Sequence, residues 1–216
     1  MKVVSLTLCR AGSKGLPGKN TKDLCGKPMF AHQIKNLKDA GISDRYVSTD
    51  DVIIKSLASE YDFLVIDRPP EISLDTSKCE EALMHFTNLV EYDILVFAQA
   101  TSPLCKPEYI KKGLQLVLDG KYESVISVCR EHWIPRWDLK MNPVDWDPSN
   151  RPRRQQKPEL FLENGAFYIT KKELFLKSNV RYSGKIGYVE MPHYESFQID
   201  TEEDFILIEK LLKGRK

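Results

Sequence analysis

The apolar positions of this chain fall into short continuous runs separated by amphipathic stretches, the pattern of strands alternating with helices. The first run, residues 3–8 (VVSLTL), reads as a buried strand. After Gly26-Lys27-Pro28, the stretch MFAHQIKNLKDAG places Met29, Ile34, Leu37 and Ala40 on part of an apolar stripe. Pro28 suits a helix start and Gly41 a stop. Arg45 to Thr49 reads as a short strand, and Asp51 as the cap of a helix reaching about Tyr61. Residues 63–67 (FLVID) are a third strand, and Thr76 to Val90 a helix with Leu83, Phe86 and Val90 inward. The run 93–99 (DILVFAQ) has the character of a strand buried on both faces. Pro107 opens a helix that stops at Gly120, and 124–128 (SVISV) is a fifth strand. Short connections between these units predict an α/β fold built on a doubly wound, mainly parallel sheet.

Between Arg130 and Glu163 this periodicity disappears. The segment holds Trp133, Trp137 and Trp146, with five prolines from Pro135 to Pro158. So long an irregular stretch is unusual inside a compact domain, and aromatics carried on it suit a subunit contact. The chain is therefore expected to form a single domain, 1–216, with 130–163 as an inserted arm. Within the arm, NRPRRQQK gathers Arg151, Arg153, Arg154 and Lys157, for which a solvated basic patch is the lesser alternative.

Composition narrows the classes of function. With 42% apolar and 29% charged residues the chain is ordinary globular material. A net charge of +1 gives no global pull toward nucleic acid or an acidic membrane, so neither is expected as a partner. The five cysteines, at 9, 25, 79, 105 and 129, are odd in number and lack any C-x-x-C pair. They imply reduced thiols in a cytoplasmic protein rather than a disulfide frame or zinc site. Cys9 and Cys129 adjoin apolar runs and read as small core residues. No signal pattern opens the chain and no stretch approaches the length of a membrane span. Because the sequence stops directly after its last helix, no fused second catalytic domain is expected.

The candidate chemistry sits at the strand ends, where sheets of this kind bind ligands. The first strand runs into RAGSKGLPGKN, with Gly12, Gly15 and Gly18 three apart and the cations Arg10, Lys14 and Lys19 among them. Glycines let the backbone approach a ligand and turn several N–H groups toward one anion, and three cations beside them suit a polyphosphate. An ATPase P-loop is excluded, because Ser13 stands where its first glycine belongs and Asn20 follows Lys19 in place of Ser or Thr. A dinucleotide fingerprint fails because Lys14 occupies its second glycine position. The other strands end in Ser48-Thr49-Asp50-Asp51, Asp67-Arg68-Pro69 and Gln99-Ala100-Thr101-Ser102-Pro103-Leu104, any one of which could be an ordinary turn. In SFQIDTEEDF, Thr201 and Asp204 read as a capping box after a strand, leaving Asp200 free for a cation. The four histidines, 32, 85, 132 and 193, show no metal spacing, and no Ser-His-Asp order or activated cysteine is evident.

The loop letters Arg10, Gly12, Ser13, Lys14, Gly15, Lys19 and Asn20 resemble the R-x-G-S-K-G-x-x-x-K-N signature of the N-acylneuraminate cytidylyltransferases and their relatives, which make CMP-activated acid sugars. S-T-D-D, R-P, Q-x-T-S-P-L and the N-G-A-x-Y-I strand from Asn164 to Ile169 follow in that family's order. The resemblance implies a Rossmann-like nucleotidyltransferase fold with the arm crossing a homodimer. It further implies transfer of CMP from CTP to the anomeric hydroxyl of a nine-carbon 2-keto-3-deoxy acid sugar, in preference to an eight-carbon one. By the same resemblance Arg10, Lys14 and Lys19, with Gly12, Ser13 and Gly15, hold the triphosphate, and Asn20 and Arg68 read cytosine or ribose. Gln99, Arg154 and Gln155 meet the sugar, and Asp200 holds Mg²⁺. His85 lies where relatives often carry histidine, and either a pocket role or simple packing would account for it. Two positions depart from the pattern: Cys105 where many relatives have arginine, and Gln198 where many have the first aspartate of D-I-D. Those departures keep a non-catalytic nucleotide-binding module in view, beside a sugar nucleotidyltransferase using a sugar phosphate and another NTP.

Overall fold

The computed structural model describes residues 1–214. The first half of the chain follows the predicted alternation. Strand β1 (Val3–Leu8) leads to helix α1 (His32–Asp39), β2 (Asp44–Thr49), α2 (Val52–Leu57), β3 (Leu64–Asp67), α3 (Cys79–Leu89), β4 (Ile94–Ala98), α4 (Pro107–Leu118) and β5 (Ser124–Arg130). Inside the arm, between β5 and its return strand, β6 (Arg136–Trp137) and β7 (Pro143–Val144) pair as a two-residue antiparallel ladder. The return from the arm is β8 (Phe161–Lys171), followed by α5 (Lys172–Ser178), β9 (Ile186–Glu190) and α6 (Glu202–Lys213).

The main sheet has the order β3-β2-β1-β4-β8-β5-β9. Its first four strands are parallel and wind outward from β1 in the doubly wound manner, and β9 runs parallel to β5. β8 is antiparallel to both neighbours, with Tyr168 opposite Phe97 and Ile126. The arm delivers β8 from the far end of the sheet, so it enters in reverse and splits β4 from β5.

Helices cover both faces. On one face Ile34 and Leu37 of α1, Ile54 of α2, Ile110 and Val117 of α4, and Phe205 and Ile208 of α6 join a continuous core. On the other, Leu83 and Phe86 of α3 and Phe175 of α5 pack against Val4, Leu6, Leu95, Phe97 and Tyr168. Phe30, Phe86, Phe167 and Phe175 are fully buried, each contributing about 1.5–3 kcal/mol of transfer free energy. Cys9 and Cys129 lie in the core as expected.

Three predicted boundaries move by three residues or more. The stretch after Pro28 opens as a 3₁₀ turn over Met29–Ala31, and the α-helix starts at His32. The helix capped by Asp51 tightens into a 3₁₀ turn from Ala58 to Tyr61. The helix expected from Thr76 begins at Cys79, because Ser77 Oγ accepts the Leu74 N–H and closes a turn in front of it. One element is overturned: residues 197–200 form no strand. Ile199 N–H instead donates to the Thr101 carbonyl at 2.9 Å, a single bond docking an extended segment onto the β4 terminus. Among the described residues no helix is long and apolar enough to cross a membrane.

Candidate active site

The glycine loop leaves β1 at Leu8 and turns back on itself. Gly12 and Gly18 take φ of +70° and +67°, a region that side chains strongly disfavour. Asn20 is buried, and its Nδ2 donates to the Arg10 carbonyl at 3.1 Å, closing the loop onto its own start. Asp50, from the end of β2, accepts the Ala11 N–H at 2.7 Å and braces the first residues. Part of the polar S-T-D-D stretch is thus scaffold for the loop.

The far end of the chain meets the loop here. Lys19 Nζ pairs with Asp200 Oδ1 at 2.9 Å and donates to the Ile199 carbonyl at 2.9 Å, across 181 sequence positions. A Cβ on Gly15 would collide with the Asp200 carbonyl, so this contact requires glycine. Asp200 is therefore an ion-pair partner of Lys19 rather than a free carboxylate, although its side chain stays 68% exposed. Asp204, as expected, completes the capping box of α6, accepting the Thr201 N–H at 2.8 Å.

Between these parts lies a cavity of about 290 Å³ over the carboxyl ends of β1 and β4. Arg10, Ser13, Lys19, Asn20 and Asp200 form its loop side. Arg68 also lines it, held by Nε on Ser48 Oγ at 3.1 Å and by Nη2 on the Ser48 carbonyl at 2.8 Å. Burial pushes its pKa below the usual arginine value, with nearby acidic and thiol groups opposing. Leu8, Ala82 and Phe97 supply apolar floor.

Gln99 and Gln198 complete the wall. Gln198 Nε2 donates to the Asn164 carbonyl at 2.6 Å, and Thr101 donates to Gln99 Oε1 at 3.3 Å. A Cβ at Gly165 would lie 2.5 Å from Gln198 Nε2 and 3.3 Å from Gln99 Nε2. With φ of +66°, Gly165 is the kink in β8 that leaves room for both amides.

The remaining predicted residues lie elsewhere. Gly12 and Lys14 face a shallow crevice beside the cavity, shared with Arg10, Ser13, Ser73 and Asp75. Arg154 and Gln155 are not in the cavity; they line a separate hollow of about 450 Å³ in the arm with Arg130, Trp133 and Lys157. His85 is half-buried on α3 with Nδ1 unpartnered, and it does not line the cavity. Sequence reading missed Asp75, which bonds both Arg10 and Lys14, and Asn164, which fixes Gln198 and donates to Ser196 Oγ at 2.8 Å. The only sequence sign of Asn164 was its place in N-G-A-x-Y-I.

Among the described residues no group of three or more His, Cys, Asp or Glu could hold a metal ion. Asp200 alone offers an accessible carboxylate to the cavity, an arrangement that fits a hard cation arriving with phosphate oxygens.

The sequence matches the profile of the family described as cytidylyltransferase over residues 4–215. The chain belongs to the cytidylyltransferase family. Its relatives include N-acylneuraminate cytidylyltransferase B of Danio rerio, 35% identical over 214 residues, covering 95% of this chain and 50% of that protein. N-acylneuraminate cytidylyltransferase of Streptococcus agalactiae is 30% identical over 215 residues, covering 95% of this chain and 52% of its own. The chain thus spans about half the length of the curated relatives it matches. In fold, the chain is similar to a CMP:2-keto-3-deoxy-manno-octonic acid synthetase complexed with CTP, at a TM-score of 0.77 and 20% identity over all of both chains. It is also similar to the 4-diphosphocytidyl-2C-methyl-D-erythritol synthase of Anaerococcus prevotii, at 0.64 and 16%, covering 98% and 99% of the two chains.

Proposed function

We propose that this chain transfers CMP from CTP to the anomeric hydroxyl of a 2-keto-3-deoxy nonulosonic acid, a sialic-acid-like sugar. The anomeric oxygen attacks the α-phosphorus in line; the bond to the β-phosphate oxygen breaks, pyrophosphate leaves, and the hydroxyl proton is lost to solvent. The observation that carries this reading is the meeting of Lys19 and Asp200 at the mouth of the glycine-loop cavity. A cation suited to phosphate and a carboxylate suited to a hard metal ion stand side by side there, which supports the reading.

In this reading Arg10, Lys14 and Lys19, with the loop N–H groups of Gly12, Ser13 and Gly15, bind the triphosphate. Catalysis is then largely positioning and charge neutralisation. Asn20 has its amide nitrogen engaged by Arg10, so it offers Oδ1 to the cytosine amino group, and Arg68 faces the base or ribose. Gln99, beside the fixed amide of Gln198, orients the sugar. Asp200 would hold Mg²⁺, which would supply neutralisation of the charge on the phosphates.

Arg154 and Gln155 reach an acid sugar only if the arm is applied to a second copy, so the working unit is a homodimer. An arginine fork suits the sugar carboxylate. Phe161 and Tyr188, with ring centroids 4.6 Å apart yet both more than 40% exposed, offer apolar surface beside the arm for that contact. Five cysteines, odd in number and without a C-x-x-C pair, favour a reducing, cytoplasmic setting.

Pyrophosphate release from CTP, UTP and GTP, each with Mg²⁺ and a panel of nine- and eight-carbon 2-keto-3-deoxy acids, tests the proposal. Release with CTP and a nine-carbon acid is expected. Release only with another NTP and a sugar phosphate would replace it, and CTP binding without any release would make the chain a regulatory module.

A further inference from the structure

Asp75 engages two of the loop's cations at once. Its Oδ1 pairs with Arg10 Nη2 at 2.6 Å and its Oδ2 with Lys14 Nζ at 2.9 Å, so each carboxylate oxygen takes one positive charge. The residue sits on a turn in front of α3, where the Ser77 N–H donates to the Leu74 carbonyl at 3.1 Å and the Leu74 N–H donates back to Ser77 Oγ at 3.2 Å. Ser73 Oγ ties the preceding residues to the Pro69 carbonyl at 3.0 Å. The carboxylate therefore has a fixed mounting while its own side chain remains 36% exposed.

The crevice that Asp75 faces continues the nucleotide cavity, because Arg10 and Ser13 line both. Lys14 first, and then Arg10, hold the Asp75 carboxyl below the usual carboxylate range, so it is ionised at neutral pH. Two cations on a short glycine loop repel each other, and Lys14 is 80% exposed. A single carboxylate draws both to the crevice beside the cavity before any ligand is present. A phosphate oxygen seeking the same two groups meets a like charge already in place.

We infer that Asp75 is a resident countercharge that the phosphates of the nucleotide displace, and that its return helps pyrophosphate leave. The inference rests on the nucleotide-binding reading of the cavity. Exchange is easy in both directions, since solvent-exposed ion pairs contribute little, whereas a triphosphate offers several charged oxygens to the same donors. Asp75 is a positioning residue on this view. It organises the loop cations in the empty site and holds back affinity in the filled one.

Calorimetric titration with CTP and with inorganic triphosphate, both with Mg²⁺, separates the outcomes. Asp75→Asn and Asp75→Ser each remove the charge, and the serine variant keeps a small polar side chain should the asparagine fail to fold. Both are expected to bind the two ligands about tenfold more tightly than the unsubstituted protein, the scale of one like charge removed near a bound anion. Asp75→Glu, which retains the charge, is expected to stay close to the unsubstituted affinity. Inhibition by pyrophosphate should strengthen in parallel in the neutral variants. A merely structural Asp75 would give the opposite sign, so equal or weaker binding by both neutral variants overturns the inference. An unsubstituted protein that takes neither ligand sinks the nucleotide reading itself, and this inference with it. One that binds inorganic triphosphate but not CTP refutes the cytidine assignment alone, and the same comparison of variants still decides Asp75.

Discussion

Lys19 has two oxygen partners from one short segment, the Ile199 carbonyl and the Asp200 carboxylate, and its side chain is only 13% exposed. Its ammonium is fixed before substrate arrives, which is what charge stabilisation in a transition state requires. Lys19→Ala is expected to lower turnover at saturating CTP and sugar by roughly 10²–10³-fold, as for loss of one preorganised donor. Near-native initial rates would remove Lys19 from that role. Lys19 and Arg68 stand in glycine-spaced and strand-end polar stretches, which are local patterns, Asn20 was marked by the family resemblance, and the fold brings all three to one cavity. Asp75 could not be found in the sequence, since an aspartate before a helix reads as a cap and its two partners lie on a distant loop. Gln198 was visible as a departure, but only its bond to the Asn164 carbonyl explains why an amide is at home there.

At the level of elements, α1 is tied to the segment after the glycine loop by its first residue. His32 is buried, and its Nε2–H donates to the Leu24 carbonyl at 2.7 Å, which fixes the tautomer. Burial pushes its pKa down to about 4, against a smaller upward pull from the Leu24 bond. The folded value lies below the ordinary 6.5, so the unfolded chain protonates first as pH falls. The contribution of neutral His32 is complete above pH 6.5 and is lost between pH 6.5 and 4, amounting to at most about 3 kcal/mol. Urea midpoints measured at pH 7 and 4.5 should show this fall, and His32→Gln should flatten it. An unchanged slope in the variant would assign the acid sensitivity to other groups. The stripe of α1 and the cap of α2 were legible from period and cap chemistry. The 197–200 segment was not, because four residues with two apolar side chains look like a strand whether or not an edge is free to receive them.

At the scale of the molecule, Arg154 and Gln155 line a hollow apart from the cavity that holds Lys19. If the arm completes a partner's site, two damaged chains can repair each other. Lys19→Ala and Arg154→Ala variants, each nearly inactive alone, are expected to recover activity when mixed and allowed to exchange subunits. Recovery would come from the mixed dimer, which keeps one site with an intact loop and an intact arm. No recovery, with subunit exchange confirmed by sedimentation of tagged chains, would confine the arm to some other role.

The sequence by itself determined the strand and helix periods, the buried strands β1 and β4, the anion-binding character of the glycine loop and the family that its motifs spell out. These depend on spacings of a few residues, which the chain carries wherever it folds. Tertiary structure alone decided that β8 enters the sheet antiparallel, that Gly165 leaves room for two amides and that Asp75 pairs with two cations. It also decided that Asp200 pairs with Lys19. Each of these depends on how distant segments close in space, and a side chain's charge or length does not say which remote partner will be within 3 Å of it.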